Sequence, residues 1–364
     1  MRRPRRSRPA LAVALGILLG LTGCATPSGG GDAGDTVIAL LLPEAATARY
    51  ERLDRPLFEQ RLAVNGDYRV IYANAGGSAS RQLEQAESAL AAGASVLVVN
   101  PVDQVAARTI VDTAAALDVP VVSYDRLIDG GGAAFYVSFD NEKVGTLQAE
   151  SLVDGLRARG TPHGGILVLA GDPNDANTTQ LSAGFERVLT AARIPVLARY
   201  DVPGWSAARA QEWAATQISQ FGDDIQGIYA GNDGLAGAAI AALRTAGITT
   251  VPVVTGQDAD LSAVRRIVAG TQYATVFKNI AMQARIAADA AKALAAGDEP
   301  TAWDEVDGVP AVVLDPVLVT ATDIDRVIVT TGLYTIADIC APDLIARCLA
   351  VGVPADRLSP RLEG

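Results

Sequence analysis

The chain has 364 residues, more than one ordinary domain holds and enough for two. Hydrophobic residues make up 49% and charged residues 20%, a balance that argues against disorder and for a packed core; with aromatics at 5%, that core is aliphatic. The formal charge of −11 argues against a nucleic-acid partner, whose phosphates need neutralising Lys and Arg.

The N-terminus reads as an export signal. Arg2, Arg3, Arg5, Arg6 and Arg8 precede an apolar run from Ala10 to Leu21, too short to span a bilayer comfortably. Leu21-Thr22-Gly23-Cys24 follows and resembles the lipobox of bacterial lipoproteins, in which the Cys carries the lipid. On that reading residues 1–23 are a signal peptide and Cys24 is the lipidation site. Residues 24–35 are then a small, polar, Gly-rich tether that holds a folded body near the outer face of the cell membrane. Removal of the leader leaves 25 basic against 41 acidic residues, so the exported body is still more acidic.

From residue 36 the pattern alternates strand and helix. Apolar runs at 36–42, 69–74, 95–99 and 119–124 predict strands, with helical spacing between them, as at Leu83, Ala86 and Leu90. The fourth run ends at Tyr124 and delivers Asp125 and Arg126. A Gly-rich turn, a short strand over 134–139 and Asp140-Asn141-Glu142 follow, the last opening a helix near Glu142. The rhythm then restarts, with strands predicted at 165–171, 195–200, 226–231, 251–256 and 273–277. A helix over 280–296 and a strand-like run at 312–320 complete it. Nearly continuous apolar strands alternating with helices predict α/β architecture: two doubly wound parallel-sheet lobes joined by three crossings. The crossings are expected near Phe139, Asn279 and Gly308. The N-terminal lobe would then comprise 36–139 plus about 279–307, and the C-terminal lobe 140–278 plus about 308–364.

Polar residues gather where the strands end: Asn74, Asn100, Asp125-Arg126, Asn232-Asp233, Gln257-Asp258 and Lys278-Asn279. Carboxyl strand ends face the ligand crevice of open α/β sheets. Helix capping competes as an explanation and suits Asp233 and Asn279. It suits Arg126 and Lys278 poorly, because a helix N-terminus repels cations. For Asp125 and Arg126 a plain surface ion pair also competes. Cations, carboxylates and carboxamides together describe a site for a neutral polyhydroxylated ligand, whose hydroxyls both donate and accept.

Near the C-terminus stand Cys340 and Cys348. An exported chain most simply pairs them, and Pro342 lets the segment fold back where a continuous helix would hold them apart. Catalytic signatures are missing from the sequence. His163 is the one histidine and reads as a solvated turn residue, no Cys or His cluster has metal-ligand spacing, and no nucleophile elbow or phosphate loop opens a helix. A binding protein without metal or cofactor is therefore expected rather than an enzyme.

YDRLI, FYVSFDNEKVG, GNDGLAGAAIAAL, TGQDADLSAVRRIVAGTQYATVFK and the PGW at 203–205 resemble the periplasmic D-xylose-binding protein family. The likeness covers nearly all of residues 36–350. It implies a type I periplasmic binding fold and an extracytoplasmic, monomeric receptor that closes on one pyranose and delivers it to the permease of an ABC importer. D-xylose comes first among ligands. The family's sugar contacts match Arg49, Asp125, Arg126, Asn177 in the loop DPNDANTTQ, Trp205, Asn232, Asp258 and Lys278, with Tyr50 and Gln257 as additional candidates. Tyr50 replaces a tryptophan common in the family, and Glu44 lies near a position where a basic residue can occur. The same fold also serves a sugar sensor presenting its ligand to a membrane receptor or kinase. An extracytoplasmic sugar-modifying enzyme is a weaker alternative.

Overall fold

The computed structural model describes residues 36–64, 66, 68–354 and 357–358. The leader, Cys24 and the rest of the tether lie outside the described residues.

The first sheet gathers β1 (Thr36–Leu42), β2 (Tyr68–Asn74), β3 (Val96–Val99), β4 (Val121–Tyr124) and β5 (Phe135–Phe139), interleaved with helices α1 (Arg55–Leu62), α2 (Ala79–Ala91) and α3 (Arg108–Ala115). β1 shows why these strands are apolar along both faces. Ile38, Leu40 and Leu42 enter one core, while Val37, Ala39 and Leu41 enter another on the opposite side. With a side-chain period of two, a strand covered on both faces cannot alternate with polar residues.

The chain then leaves for the second lobe. Asp140 caps α4 (Asn141–Ala158) by accepting from the Lys143 amide at 2.9 Å. β6 (Gly165–Ala170), α5 (Ala176–Ala192), β7 (Val196–Asp201), α6 (Ala207–Phe221), β8 (Ile225–Ala230), α7 (Asp233–Thr245), β9 (Val253–Gln257), α8 (Leu261–Ala269) and β10 (Ala274–Phe277) follow. After Lys278, α9 (Ile280–Ala296) returns to the first lobe, and its alanines 284, 287, 288 and 291 pack closely under Ile38, Leu40, Val122 and Phe135.

The third crossing differs from expectation. The run at 312–320 is not one strand and the lobe boundary is not near Gly308. β11 (Asp304–Val306) pairs with β12 (Val309–Leu314), β12 lies parallel to β5 in the first sheet, and β13 (Val317–Val319) lies antiparallel to β10 in the second. The chain therefore crosses at Asp315-Pro316. Val312 and Leu314 belong to the first lobe's core, and Pro316, lacking an N–H, cannot continue a ladder. The completed sheets run β11-β12-β5-β4-β3-β1-β2 and β13-β10-β9-β8-β6-β7, parallel except at β11 and β13.

The C-terminal segment folds on the second lobe. α10 (Ile336–Ile339) and α11 (Ile345–Ala350) flank Pro342, and a disulfide joins Cys340 to Cys348 inside a core with Val264, Ile267 and Ile324. Among the described residues no helix is long and apolar enough to cross a membrane.

Candidate functional site

Every sequence-nominated ligand residue lines one cavity between the lobes, at the carboxyl ends of both sheets. Arg49, Tyr50, Asp125, Arg126, Asn177, Trp205, Asn232, Gln257, Asp258 and Lys278 meet there, joined by Thr47 and Asp175, around about 300 Å³ including the part open to solvent. No single stretch of chain supplies it. The first lobe contributes the segment after β1 and the end of β4; the second contributes the start of α5, the turn after β7 and the ends of β8, β9 and β10.

The first-lobe wall is a buried charge network. Arg49 precedes a π-helical turn (Tyr50–Asp54). Its Nε and Nη2 donate to Asp54 at 3.0 and 2.6 Å, Nη2 also donates to Gln283 Oε1 at 2.8 Å, and Nη1 reaches Asp125 Oδ1 at 3.3 Å. Asp125 sits at φ +64°, a backbone state that costs a non-glycine residue and turns its carboxylate into the cavity. It also accepts from Tyr50 Oη and Gln283 Nε2, both at 3.2 Å. Burial opposes its charge, yet the cations of Arg49, Lys278 and Arg126 outweigh that and hold the carboxyl well below the usual carboxylate range.

Arg126 is no surface residue. It and Asp125 are 2% and 3% exposed, which corrects the surface ion-pair reading. Arg126 Nη1 donates to the Pro101 carbonyl at 3.2 Å and Nη2 to Tyr50 Oη at 3.3 Å. Its Nε lies 2.8 Å from Asp175 Oδ2 across the lobe boundary, outside hydrogen-bonding alignment. Burial works against the guanidinium, but Asp175, Tyr50, Glu44 and Asp125 raise its pKa further above the ordinary arginine value.

The second-lobe wall is built from helix starts and turns. Asp175 caps α5, its Oδ1 accepting from the Asn177 amide at 2.9 Å while Oδ2 accepts from Trp205 Nε1 at 3.0 Å. Asn177 is thus in the first turn of α5, where DPNDANTTQ had been expected to form a loop. Trp205 serves two ends: it faces the cavity and packs among Leu169, Val202 and Ala230. A Cβ on Gly171 would come within 2.2 Å of the indole, so only glycine admits the ring there. Asn232, not Asp233, caps α7, its Oδ1 accepting from the Leu235 amide at 2.9 Å. Asp233, one residue on, is turned under the sheet. Gln257 donates to the Gly231 carbonyl at 2.7 Å, and Lys278 Nζ lies 2.8 Å from Asp258 Oδ1.

At this cavity Arg126 Nε and Asp258 Oδ1 are engaged in close ion pairs with Asp175 and Lys278, outside hydrogen-bonding alignment, and the buried Gln257 Oε1 has no partner among the described residues. Buried polar groups are rarely left unpaired, so the Gln257 oxygen offers an acceptor to whatever fills the space, and the two ion pairs have misaligned groups that a ligand hydroxyl can engage. Among the described residues no group of His, Cys, Asp and Glu is arranged to hold a metal ion. Sequence reasoning missed Asp175, Asp54 and Gln283. Asp175 stands two residues before Asn177 ahead of a helix, a visible capping signal. Gln283 reaches Arg49 across 234 residues of sequence, and no local pattern announces that.

Two α/β lobes clasping a polar cavity between their carboxyl strand ends define a solute receptor of the type I periplasmic binding fold. Residues 38–299 match the periplasmic binding protein domain. The D-xylose-binding periplasmic protein of Escherichia coli (strain K12) is 32% identical over 305 residues, spanning 82% of this chain and 90% of that protein. An ABC transporter solute binding protein from Clostridium phytofermentans, solved with bound beta-D-glucose, superimposes with a TM-score of 0.76 at 26% identity, over 84% of this chain and all of the other. A carbohydrate transporter solute binding protein from Chloroflexus aurantiacus, in complex with D-glucose, gives 0.74 at 27% identity, over 84% and 98%. The chain belongs to the periplasmic sugar-binding protein family. It is a binding protein and not an enzyme, and its family places it outside the cytoplasm.

Proposed function

We propose that this protein is the sugar receptor of an ABC importer, that it closes on a single pyranose, and that D-xylose is its preferred ligand. The observation that carries the reading is a single inter-lobe cavity lined by buried Arg, Lys, Asp, Asn and Gln side chains and one tryptophan, with the Gln257 oxygen left without a partner. A pyranose presents hydroxyls that both donate and accept, together with an apolar C–H face for an indole. Arg49, Asp125, Arg126, Asn177, Trp205, Asn232, Asp258 and Lys278 are the ligand residues in this reading, with Tyr50 and Gln257 beside them. Two D-xylose-binding relatives at 32% identity support xylose. Structural neighbours holding D-glucose make glucose second. Cys24 is the lipid attachment site in the same reading, and the acceptor of the sugar is the permease of the cognate importer.

Calorimetric titration of the mature domain with D-xylose, D-glucose, L-arabinose and D-ribose tests this. Micromolar binding, about 8 kcal/mol, is the expected scale for a handful of charge-assisted hydrogen bonds and one stacking face after closure costs. The outcome that sinks the sugar reading is the absence of binding to any of the four at millimolar concentration. Tighter binding of glucose than xylose overturns only the choice of sugar.

A further inference from the structure

Beneath the second-lobe wall lies a polar cluster that touches no part of the cavity. Asp233 is 1% exposed and accepts three hydrogen bonds: from Gln272 Nε2 on Oδ1 at 2.7 Å, and from Thr275 Oγ1 and the Asp260 amide on Oδ2 at 2.9 and 3.0 Å. The orientation of Gln272 is set in turn, because its Oε1 accepts from Arg266 Nε at 2.9 Å. Gly256 on β9 makes room, since a Cβ there would fall 2.2 Å from Asp233 Oδ1.

What this cluster holds is a strained turn. Asp258 and Ala259 both have positive φ, +94° and +53°, a conformation that costs non-glycine residues and persists only where the surroundings over-determine it. The turn is pinned at successive amides: Asp258 N–H donates to the Val276 carbonyl at 2.9 Å, Ala259 N–H to Thr275 Oγ1 at 3.2 Å, and Asp260 N–H to Asp233. Two of the three pins run through Asp233 or the threonine it anchors. The turn carries the Asp258 carboxylate beside Lys278 in the cavity.

We propose that Asp233 is a positioning residue for ligand recognition: its carboxylate holds the Asp258–Asp260 turn and so places Asp258 in the cavity. The proposal rests on the cavity being the sugar site. Two acceptor oxygens are needed because the Gln272 amide donates to one and the Asp260 amide to the other, while the Thr275 hydroxyl can donate or accept. An asparagine has one acceptor oxygen, so in either orientation its NH2 faces a donor and strips the acceptor from Gln272 or from the Asp260 amide.

The test uses Asp233→Asn, Asp258→Asn and the double variant, with Thr275→Val as a milder second probe should Asp233→Asn fold poorly. In the absence of sugar, amide hydrogen exchange at Ala259 and Asp260 should accelerate about tenfold or more in Asp233→Asn and Thr275→Val, with the rest of the second lobe unchanged. By calorimetry with D-xylose and D-glucose, Asp233→Asn should weaken Kd by about tenfold in the wild-type background and by less than about twofold when Asp258 is already Asn. Unchanged exchange at those amides overturns the proposal whatever the ligand. So does an equal loss of affinity in both backgrounds, or a lowered melting temperature with Kd unmoved. Should Asp258→Asn itself leave sugar binding intact, the assignment of the cavity fails instead, and the exchange data alone decide whether Asp233 holds the turn.

Discussion

Asp125 and Arg126 lie at one strand end but meet different electrostatic circumstances. Asp125 is surrounded by three cations and stays ionised; Arg126 spans the lobes toward Asp175 while one of its own donors lacks an aligned partner. Replacing Arg126 by Ala should cost roughly 2–4 kcal/mol of sugar binding, about a 30- to 1000-fold rise in Kd, because charge-assisted bonds vanish and Asp175 and Tyr50 lose a partner. Calorimetry of the variant checks this, and a Kd within threefold of wild type would contradict it. Asp260 responds to pH in the opposite sense to Asp125. Burial, then the neighbouring Asp258, raise its pKa from 3.8 to about 6 against the opposing pull of Arg266, Arg49 and Arg52. The folded protein thus keeps a proton that the unfolded chain has released. The associated stability is full below the unfolded value and lost as pH rises through about 6, with a ceiling of about 3 kcal/mol. Its carboxylate accepts no capping bond from α8, so Asp260→Asn sacrifices no cap. That variant should raise Tm at pH 7.5 by about 2–4 °C and flatten the change in Tm between pH 5 and 7. Thermal melts across that range provide the check; a decline in Tm at pH 7.5 would count against it.

At the scale of elements, the C-terminal segment depends on one covalent link. Cys340 and Cys348 are fully buried and their bridge closes a short loop between α10 and α11, against α8 and β13. A loop of this size corresponds to about 2.5 kcal/mol of chain entropy in the unfolded state. The Cys340→Ala/Cys348→Ala double variant should lose about 2–3 kcal/mol in urea unfolding while sugar affinity holds, because the bridge lies away from the cavity lining. Mass analysis without reductant should find both cysteines in one linked peptide, and two free thiols there would contradict the bridge. Helix α9 shows a second dependence. It leaves the second sheet capped by Asn279, whose side chain accepts from the Met282 amide at 3.1 Å, and it carries Gln283 to Arg49 and Asp125. A helix that returns to the first lobe thereby supports the charged wall of the site.

For the whole molecule, three passages between the sheets and the Arg126–Asp175 pair make the cavity a property of both lobes at once. Closure of two lobes about a few crossing residues is hinge motion, and Asp140, Lys278-Asn279 and Asp315-Pro316 are where the φ/ψ change falls in our reading. The proposed lipid anchor is separable from that machinery. Replacing Cys24 by Ser should move the protein from the membrane fraction to the soluble extracytoplasmic fraction with sugar affinity unaltered. Retention of that variant in washed membranes would end the lipoprotein proposal.

The sequence by itself determined the α/β alternation, two lobes, and the strand ends at which Asp125, Arg126, Asn232, Asp258 and Lys278 stand. These follow from local pattern: strands covered on both faces are apolar throughout, and polar residues at their carboxyl ends mostly face the crevice or cap the next helix. The capping and ligand roles of neighbouring residues were not separable that way, which is why Asp233 read as a cap when Asn232 is one. Only the tertiary structure decided that Asp54 and Gln283 orient Arg49, that Asp175 joins the cavity, and that Asp233 lies under the Asp258 turn. It also divided the run at 312–320 between two sheets. Each of those outcomes depends on which buried group lies opposite. Residues distant in sequence supply most of those partners, and neither hydrophobic period nor capping preference encodes them.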